Sequence, residues 1–316
     1  PGAAGNRIAA LEGIVAGGDV AIRGGAGMME LRDGGGGAAI TVIPSGRTIT
    51  LRADDLDVQA LVQAPAGTIN ILPETAGRAV TLGGTGAGTL ALATAEIERL
   101  GGGGATLSAP AATRLRIGSD GTTRTAGDIL VTGDVPLRDG ATVRVGTLEL
   151  VAGQPGTAGG SVRQTAGSVD VAAVTGTAQG DFRLGLSGNA FDTASGITAG
   201  TLPAVGATGV VELATAGALA ATDITAPVSI RLTAGAGLSA GGITAPVILL
   251  QGGTVTLTDL IQGSTSVTID SAGAVTQQAG ALIVTGLFTL NGGSISLPED
   301  NEIVELNGLV ATGPVF

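Results

Sequence analysis

The pentapeptide Ile224-Thr225-Ala226-Pro227-Val228 returns as Ile243-Thr244-Ala245-Pro246-Val247, 19 positions later. Val267 follows Val247 by 20 positions, and Leu287 and Phe288 stand about 20 further on. A period near 20 with strand-like content restricts a polypeptide to a solenoid, in which each unit makes one coil and buries its apolar side only against its neighbours. Within the unit the pattern has period two. Val228, Ile230 and Leu232 alternate with Ser229, Arg231 and Thr233, which sends one set inward and the other outward. The expected fold is all-β: a right-handed parallel β-helix with coils of about 19–20 residues, the hand following from the strong bias of parallel crossovers. Val228, Ile230, Leu232, Val247, Leu249, Val267 and Ile269 are expected to form its inner columns.

Glycine supplies 57 of the 316 residues, far above the usual ~7%. The glycines have no three-residue period, so collagen is excluded. Abundant Val, Ile, Leu and Ala with only 13% charged residues argue against disorder. The remaining use for so much glycine is in many tight turns. Cys, His, Trp, Tyr and Lys are absent, and the only Phe are Phe182, Phe191, Phe288 and Phe316. A narrow β-helix uses small and branched aliphatics where a globular core of this length would use aromatics. The net charge of −11 argues against a nucleic-acid partner, which needs a basic stripe. No apolar run approaches the ~18–20 residues of a membrane span, and residues 1–5 do not read as a signal peptide.

Short alternating runs fill the rest of the sequence. Val20 and Ile22, Ile40 and Val42, Ile49 and Leu51, Ile69 and Ile71, and Val80 and Leu82 mark strands bounded by Gly, Pro or Asp. The turn Pro44-Ser45-Gly46 separates two of them. Glu96-Ile97-Glu98-Arg99-Leu100 has some helical character, but glycines 101–104 stop it at once, and a strand followed by a mobile glycine loop is expected. Residues 155–160 read as a corner loop, not a domain linker. The protein is therefore taken as one solenoid over residues 1–316. At ~4.8 Å per coil, about sixteen coils would make a rod of roughly 75 Å.

Two longer motifs recur. Ala126-Gly127-Asp128-Ile129-Leu130-Val131-Thr132-Gly133 returns almost intact at residues 279–286, with a weaker copy at 164–171. The pattern N-x-I-x-x-L-x-G-x-V-A occupies residues 6–16 and 301–311, with a degenerate form from Asn189. With the Thr/Gly-rich spacers, these blocks resemble the repeat region of filamentous-haemagglutinin-like exoproteins, large bacterial surface proteins usually secreted by the two-partner route. The resemblance extends over most of the sequence and rests on repeat composition and short motifs. The secretion domain of that family is not evident in the sequence. The resemblance implies a parallel β-helix at the cell surface, used as an adhesin shaft or filament.

Chemistry that relies on His, Cys, Lys or Tyr is excluded by their absence. Gly83-Gly84-Thr85-Gly86-Ala87-Gly88 is not a phosphate loop, because it lacks the Lys and leads into the strand-like Thr89-Leu90-Ala91-Leu92 instead of a helix. Metal binding would have to be carboxylate-based. The candidates are Asp54, Asp55 and Asp57, and Glu299, Asp300 and Glu302, whose oxygens could hold Ca²⁺. The glycine-rich nonapeptide of calcium-binding β-rolls is absent, and such corner acids are more often simply solvated. A polysaccharide-acting β-helix enzyme, of lyase or glycosidase type, is the catalytic alternative. Asp55 and Asp57, on one strand face, come closest to the carboxylate pair it needs, although no aromatic sugar platform accompanies them. Arg114 and Arg116 share a strand face and are expected to form outward ion-pair ladders. No catalytic, cofactor-binding or metal-ligating residue is assigned, and the expected role is structural. The repeat type recurs at both ends, and Val310, Val315 and Phe316 are apolar where a cap would be polar. The coil is therefore expected to continue past the ends, within a longer polypeptide or by head-to-tail stacking of copies.

Overall fold

Alternating apolar residues make strands here, and nearly every strand pairs in parallel with one a coil away. The computed structural model describes residues 10–33, 35, 37–43, 45–100, 112–119, 126–140, 142–153, 160–200 and 209–316. It is a parallel β-helix, and it divides into two compact units, Pro1–Val174 and Thr175–Phe316. Residues 6–9 of the first N-x-I repeat, Pro44, glycines 101–104 and residues 155–159 lie outside the described residues.

The second unit has the regular coils. Val211 pairs with Ile230 and Leu213 with Leu232, at the spacing of the pentapeptide repeat. Ile248 pairs with Val267, Val267 with Phe288, and Phe288 with Leu306, at nearly equal intervals along the sequence. A second inner column consists entirely of isoleucine: Ile197, Ile224, Ile243, Ile261 and Ile283 pair successively. All five are fully buried. Each such isoleucine contributes roughly 1.5–3 kcal/mol by leaving water, and identical branched residues stack well in register.

Four of the expected inner residues, Ile230, Leu232, Val267 and Ile269, are buried as expected. The other three are not. Val247 is 41% exposed, and Val228 and Leu249 are only half-buried. Ile248 and Leu250 take the inner places instead. For Val247 and Leu249 the cause is a bulge between Ala245 and Val247, where the register shifts by one. With a side-chain period of two, one extra residue sends every following side group to the opposite face.

The first unit keeps the parallel pairing but not the period. Ile49, Ile69, Leu115 and Leu148 form one buried column, yet the steps between them are uneven. The step from Ile69 to Leu115 is more than twice as long as the step from Ile49 to Ile69. It contains an excursion with the strands Val80–Leu82 and Leu90–Leu92, which pair in parallel across a single short connection. It also contains the helix Thr94–Leu100, which corrects the strand expected at 96–100. Ala93 is the residue from which this helix starts. Its N–H donates to Glu96 Oε2 at 2.7 Å, and its carbonyl accepts from Ile97 N–H. That is the carboxylate half of a capping box. The helix places Ile97 and Leu100 inward. A small antiparallel hairpin pairs Arg138 with Val143.

Candidate functional site

The residues that could carry chemistry sit at the coil corners and on the outward strand faces. The proposed acidic cluster at residues 54–57 is split by the strand Thr48–Val58. Leu56 and Val58 point inward, while Asp55 and Asp57 are both half-exposed on the opposite face. Asp54 is 2% exposed. Its two oxygens accept from Thr75 N–H at 2.7 Å and Thr75 Oγ1 at 2.5 Å, and Arg78 lies 3.9 Å away. Asp57 accepts from the Gln59 amide. In the second cluster Asp300 and Glu302 are exposed and Glu299 is half-buried. Among the described residues, no three acidic side groups converge where a metal ion could be held.

Four other aspartates form an arrangement that the sequence reading missed. Asp19, Asp128, Asp134 and Asp181 each stand directly before a strand. Each accepts a backbone N–H from the start of the strand one coil further on. Asp19 Oδ1 accepts from Thr48 at 2.9 Å, Asp128 Oδ1 from Ser161 at 2.8 Å, and Asp134 Oδ1 from Ser168 at 2.8 Å. Asp181 Oδ1 accepts from both Gly209 and Val210 at 3.1 Å. Its other oxygen accepts from Arg183 Nε at 3.1 Å. Burial alone would push the Asp181 carboxyl up. The Val210 N–H, the Arg183 charge and the Gly209 N–H outweigh it and hold the carboxyl below its ordinary value. The signal in the sequence was an Asp immediately preceding a branched or aromatic strand residue, as in Asp128-Ile129 and Asp181-Phe182.

The N-x-I motif also resolves into bracing. Asn189 is fully buried and donates to the carbonyls of Leu184 and Ala214, both at 3.1 Å. Asn301 Oδ1 accepts from Ile283 N–H at 2.9 Å and from Gln277 Nε2 at 2.7 Å. Asn301 Nδ2 in turn donates to Gln277 Oε1 at 3.1 Å. The motif glycine marks an irregular point in the backbone: Gly13 and Gly196 have φ of 63° and 60°, and Gly308 follows a bulge.

Helix Thr94–Leu100 is held by two side groups on one residue of the neighbouring strand. Val58 N–H donates to Glu96 Oε1 at 2.9 Å, and Arg99 Nη1 donates to Val58 O at 2.7 Å. They satisfy backbone groups that a neighbouring strand would otherwise pair. Burial pushes the Glu96 carboxyl above its ordinary value, opposed by the Ala93 and Val58 N–H groups and reinforced by Asp57 and Asp55.

Arg114 and Arg116 converge on Glu149 of the adjacent strand. Arg114 Nη1 lies 3.2 Å from Glu149 Oε2. Arg116 Nε lies 2.9 Å from the same oxygen, close enough for Coulombic attraction but off the line of a hydrogen bond. Gly83 to Thr89 form the connection between the parallel strands Val80–Leu82 and Leu90–Leu92. Gly83 has φ +76°, and a Cβ there would lie 2.3 Å from the backbone of Gly133. This stretch is a corner packed against the next coil, as expected of a turn.

A groove of about 600 Å³ in the second unit is lined by Gln262, Gly263, Thr285, Gly286, Asn301 and Glu302, among others. Glu302 supplies its carboxylate. Apolar exposure is concentrated on the last strand, Glu302–Ala311, and the residues after it. Leu306, Leu309 and Val315 continue the inner columns yet are 56%, 43% and 51% exposed. Val304, Val310 and Phe316 are exposed as well. Among the described residues no helix is long and apolar enough to cross a membrane. No family model, curated protein or solved structure matches this sequence.

Proposed function

We propose that this protein is a structural β-solenoid, a segment of an extracellular shaft or filament of the filamentous-haemagglutinin-like kind, with adhesion as its use at a bacterial surface. The observation that carries the reading is the stacking of the inner columns. Ile197, Ile224, Ile243, Ile261 and Ile283 pair successively and are fully buried. Each coil of such a column covers its apolar side against its neighbours, the construction of a stiff shaft. The outward positions support the same reading. Many of them are polar, with inter-coil contacts such as Thr276 Oγ1 to Thr256 Oγ1 at 3.3 Å and Arg231 Nη2 to Gln251 Oε1 at 3.1 Å.

A shaft of this kind lengthens by further coils of the same repeat type. Negative-stain imaging of the purified protein tests this. Rods or end-to-end fibres are expected, and dispersed short particles at high concentration would overturn the stacking. A denaturing gel identifies the source of the coil. A band near 30.2 kDa in fibre-forming material means stacked copies, and a far larger band from the native source means one long polypeptide.

A further inference from the structure

Two Asn-Gly pairs lie in the second unit, and the fold treats them differently. Asn291 is paired on both sides, with Asp270 of one neighbouring strand and Val310 of the other. Gly292, which follows it, is buried. Asn307 lies in the last strand at a register shift. Phe288 pairs with Leu306 and the next residue, Thr289, pairs with Gly308. Asn307 is therefore the extra residue of a bulge, has no partner across the ladder, and is exposed.

Regular strand backbone, with ψ near +115 to +135°, keeps the following nitrogen turned away from an asparagine's own Cγ. A bulge releases that constraint, and glycine at the next position removes the Cβ that would hinder approach. We propose that Asn307 is a site of spontaneous covalent modification, deamidating through a cyclic imide in the folded protein, while Asn291 is protected by its ladder. The Gly308 backbone nitrogen loses its proton and attacks Asn307 Cγ. A C–N bond forms, the Cγ–Nδ2 bond breaks, and ammonia leaves. Water then opens the imide at either carbonyl, giving aspartate or the β-linked isoaspartate. No oxidant or reductant is required. The product carries a new carboxylate two residues from Glu305. The inference concerns the dispersed protein, in which strand Glu302–Ala311 is uncovered; stacking of the kind proposed above would cover it, so the incubation is run on dispersed particles.

The two sites separate on cleavage after glutamate. Asn307 falls in the fragment 306–316 and Asn291 in the fragment 213–299. The folded protein is incubated at mildly alkaline pH in isotopically heavy water, then digested and analysed by mass. Fragment 306–316 is expected to take up the label and split into two chromatographic forms. Fragment 213–299 is expected to react at least roughly tenfold more slowly, because Asn291 must wait for local opening, and to catch up once the protein is unfolded in urea. Gly308→Ala, whose Cβ would meet nothing nearer than 3.8 Å, keeps the fold and should suppress the reaction at Asn307. Equal rates at the two sites in the folded protein, an unmodified Asn307, or an unslowed Gly308→Ala variant would each overturn the assignment.

Discussion

The two units solve one problem in different ways: how a coil keeps its register on the coil before it. In the second unit, the coils from residue 210 onward are short and nearly equal in length, and register is held by identical inner side groups and close-packed corners. In the first unit, and in the Phe182–Leu184 coil that opens the second, many coils are markedly longer, as the pairs Val20 with Ile49, Val80 with Ile129, Ile129 with Val162 and Phe182 with Val211 show. There the corner aspartates appear. Asp19 reaches across to Thr48, Asp128 to Ser161, Asp134 to Ser168, and Asp181 to Gly209 and Val210. A longer insertion raises the entropy of closing the coil. A carboxylate that accepts the first N–H of the next strand fixes the point at which pairing resumes. Short coils need no such bridge, because their corners leave little freedom to lose.

The most severe test of the regular unit is a charge in its inner column. Val267 is fully buried between Ile248 and Phe288. Val267→Asp should cost about 3–5 kcal/mol, since an unpaired carboxylate would be enclosed in an apolar stack. An unchanged urea midpoint would mean that the column is not continuous. Val247→Asp, one strand below but outward after the bulge, should stay within about 0.5 kcal/mol of the parent. Equal losses at both positions would erase the register assigned to the bulge.

Next in size is the corner of the same unit. Gly217, Gly235, Gly253, Gly273, Gly293 and Gly313 recur once per coil, and none has φ in the left-handed region. Close approach explains most of them instead. Gly273 N–H donates to Gly253 O at 2.7 Å, and a Cβ on Gly273 would lie 2.6 Å from that same oxygen. Gly273→Ala should therefore cost about 1–3 kcal/mol. Gly217→Ala, where a Cβ meets nothing within 4 Å, should be neutral or slightly stabilising. If the two variants melt together, coil spacing does not depend on this column.

The contrast also explains what could be read without coordinates. The Ile224 and Ile243 repeat was legible because both residues lie in neighbouring coils of equal length, so sequence spacing equals physical stacking. The one-residue bulge before Val247 was not, because a regular spacing from Val247 to Val267 matched the apolar pattern equally well. Helix Thr94–Leu100 is too short to display a helical period, and its docking depends on Val58, in a strand well before it. The aspartate bridges were hidden for a related reason: each partner lies beyond an insertion whose length no repeat predicts. Asp54, Asp55 and Asp57 could be seen as an acidic run. Strand alternation divides them, and only the fold shows Asp54 bonded to Thr75. Asn189 and Asn301 were visible as a motif before their bracing role was.

Removing a bridge should have a smaller effect than disturbing a column or a corner. Asp181→Ala leaves the Gly209 and Val210 N–H groups without their carboxylate and should cost about 1–2 kcal/mol near neutral pH. The pH dependence has a defined sign. The folded carboxyl titrates below its ordinary value, so its contribution is present above the unfolded value of about 3.9 and is lost as pH falls through the folded one. Stability curves of parent and variant should therefore converge on acidification. A gap that persists at low pH would mean that packing around this corner, not the charge, supports it.

The smallest expected effect separates backbone strain from coil spacing. Among the described residues, two that are not glycine have left-handed φ, one in each unit: Ala66 at 52° and Asp223 at 55°. Each stands one coil from a glycine in the same region, Gly46 at 85° and Gly242 at 65°. Ala66 is also locked by its neighbours. Pro65 O accepts from Gly46 N–H at 2.8 Å, and Thr68 N–H donates to Arg47 O at 3.1 Å. The left-handed state costs an L-residue about 1–2 kcal/mol, and glycine avoids that while adding about 0.4–1 kcal/mol of unfolded-state entropy. Ala66→Gly should therefore stabilise the protein by about 0.5–1 kcal/mol. Asp223→Gly should gain less, because aspartate tolerates this conformation better than alanine. A higher melting temperature for Ala66→Gly than for Asp223→Gly is the expected order. A loss of stability in Ala66→Gly would show that the Ala66 methyl group makes a packing contribution larger than the strain it imposes.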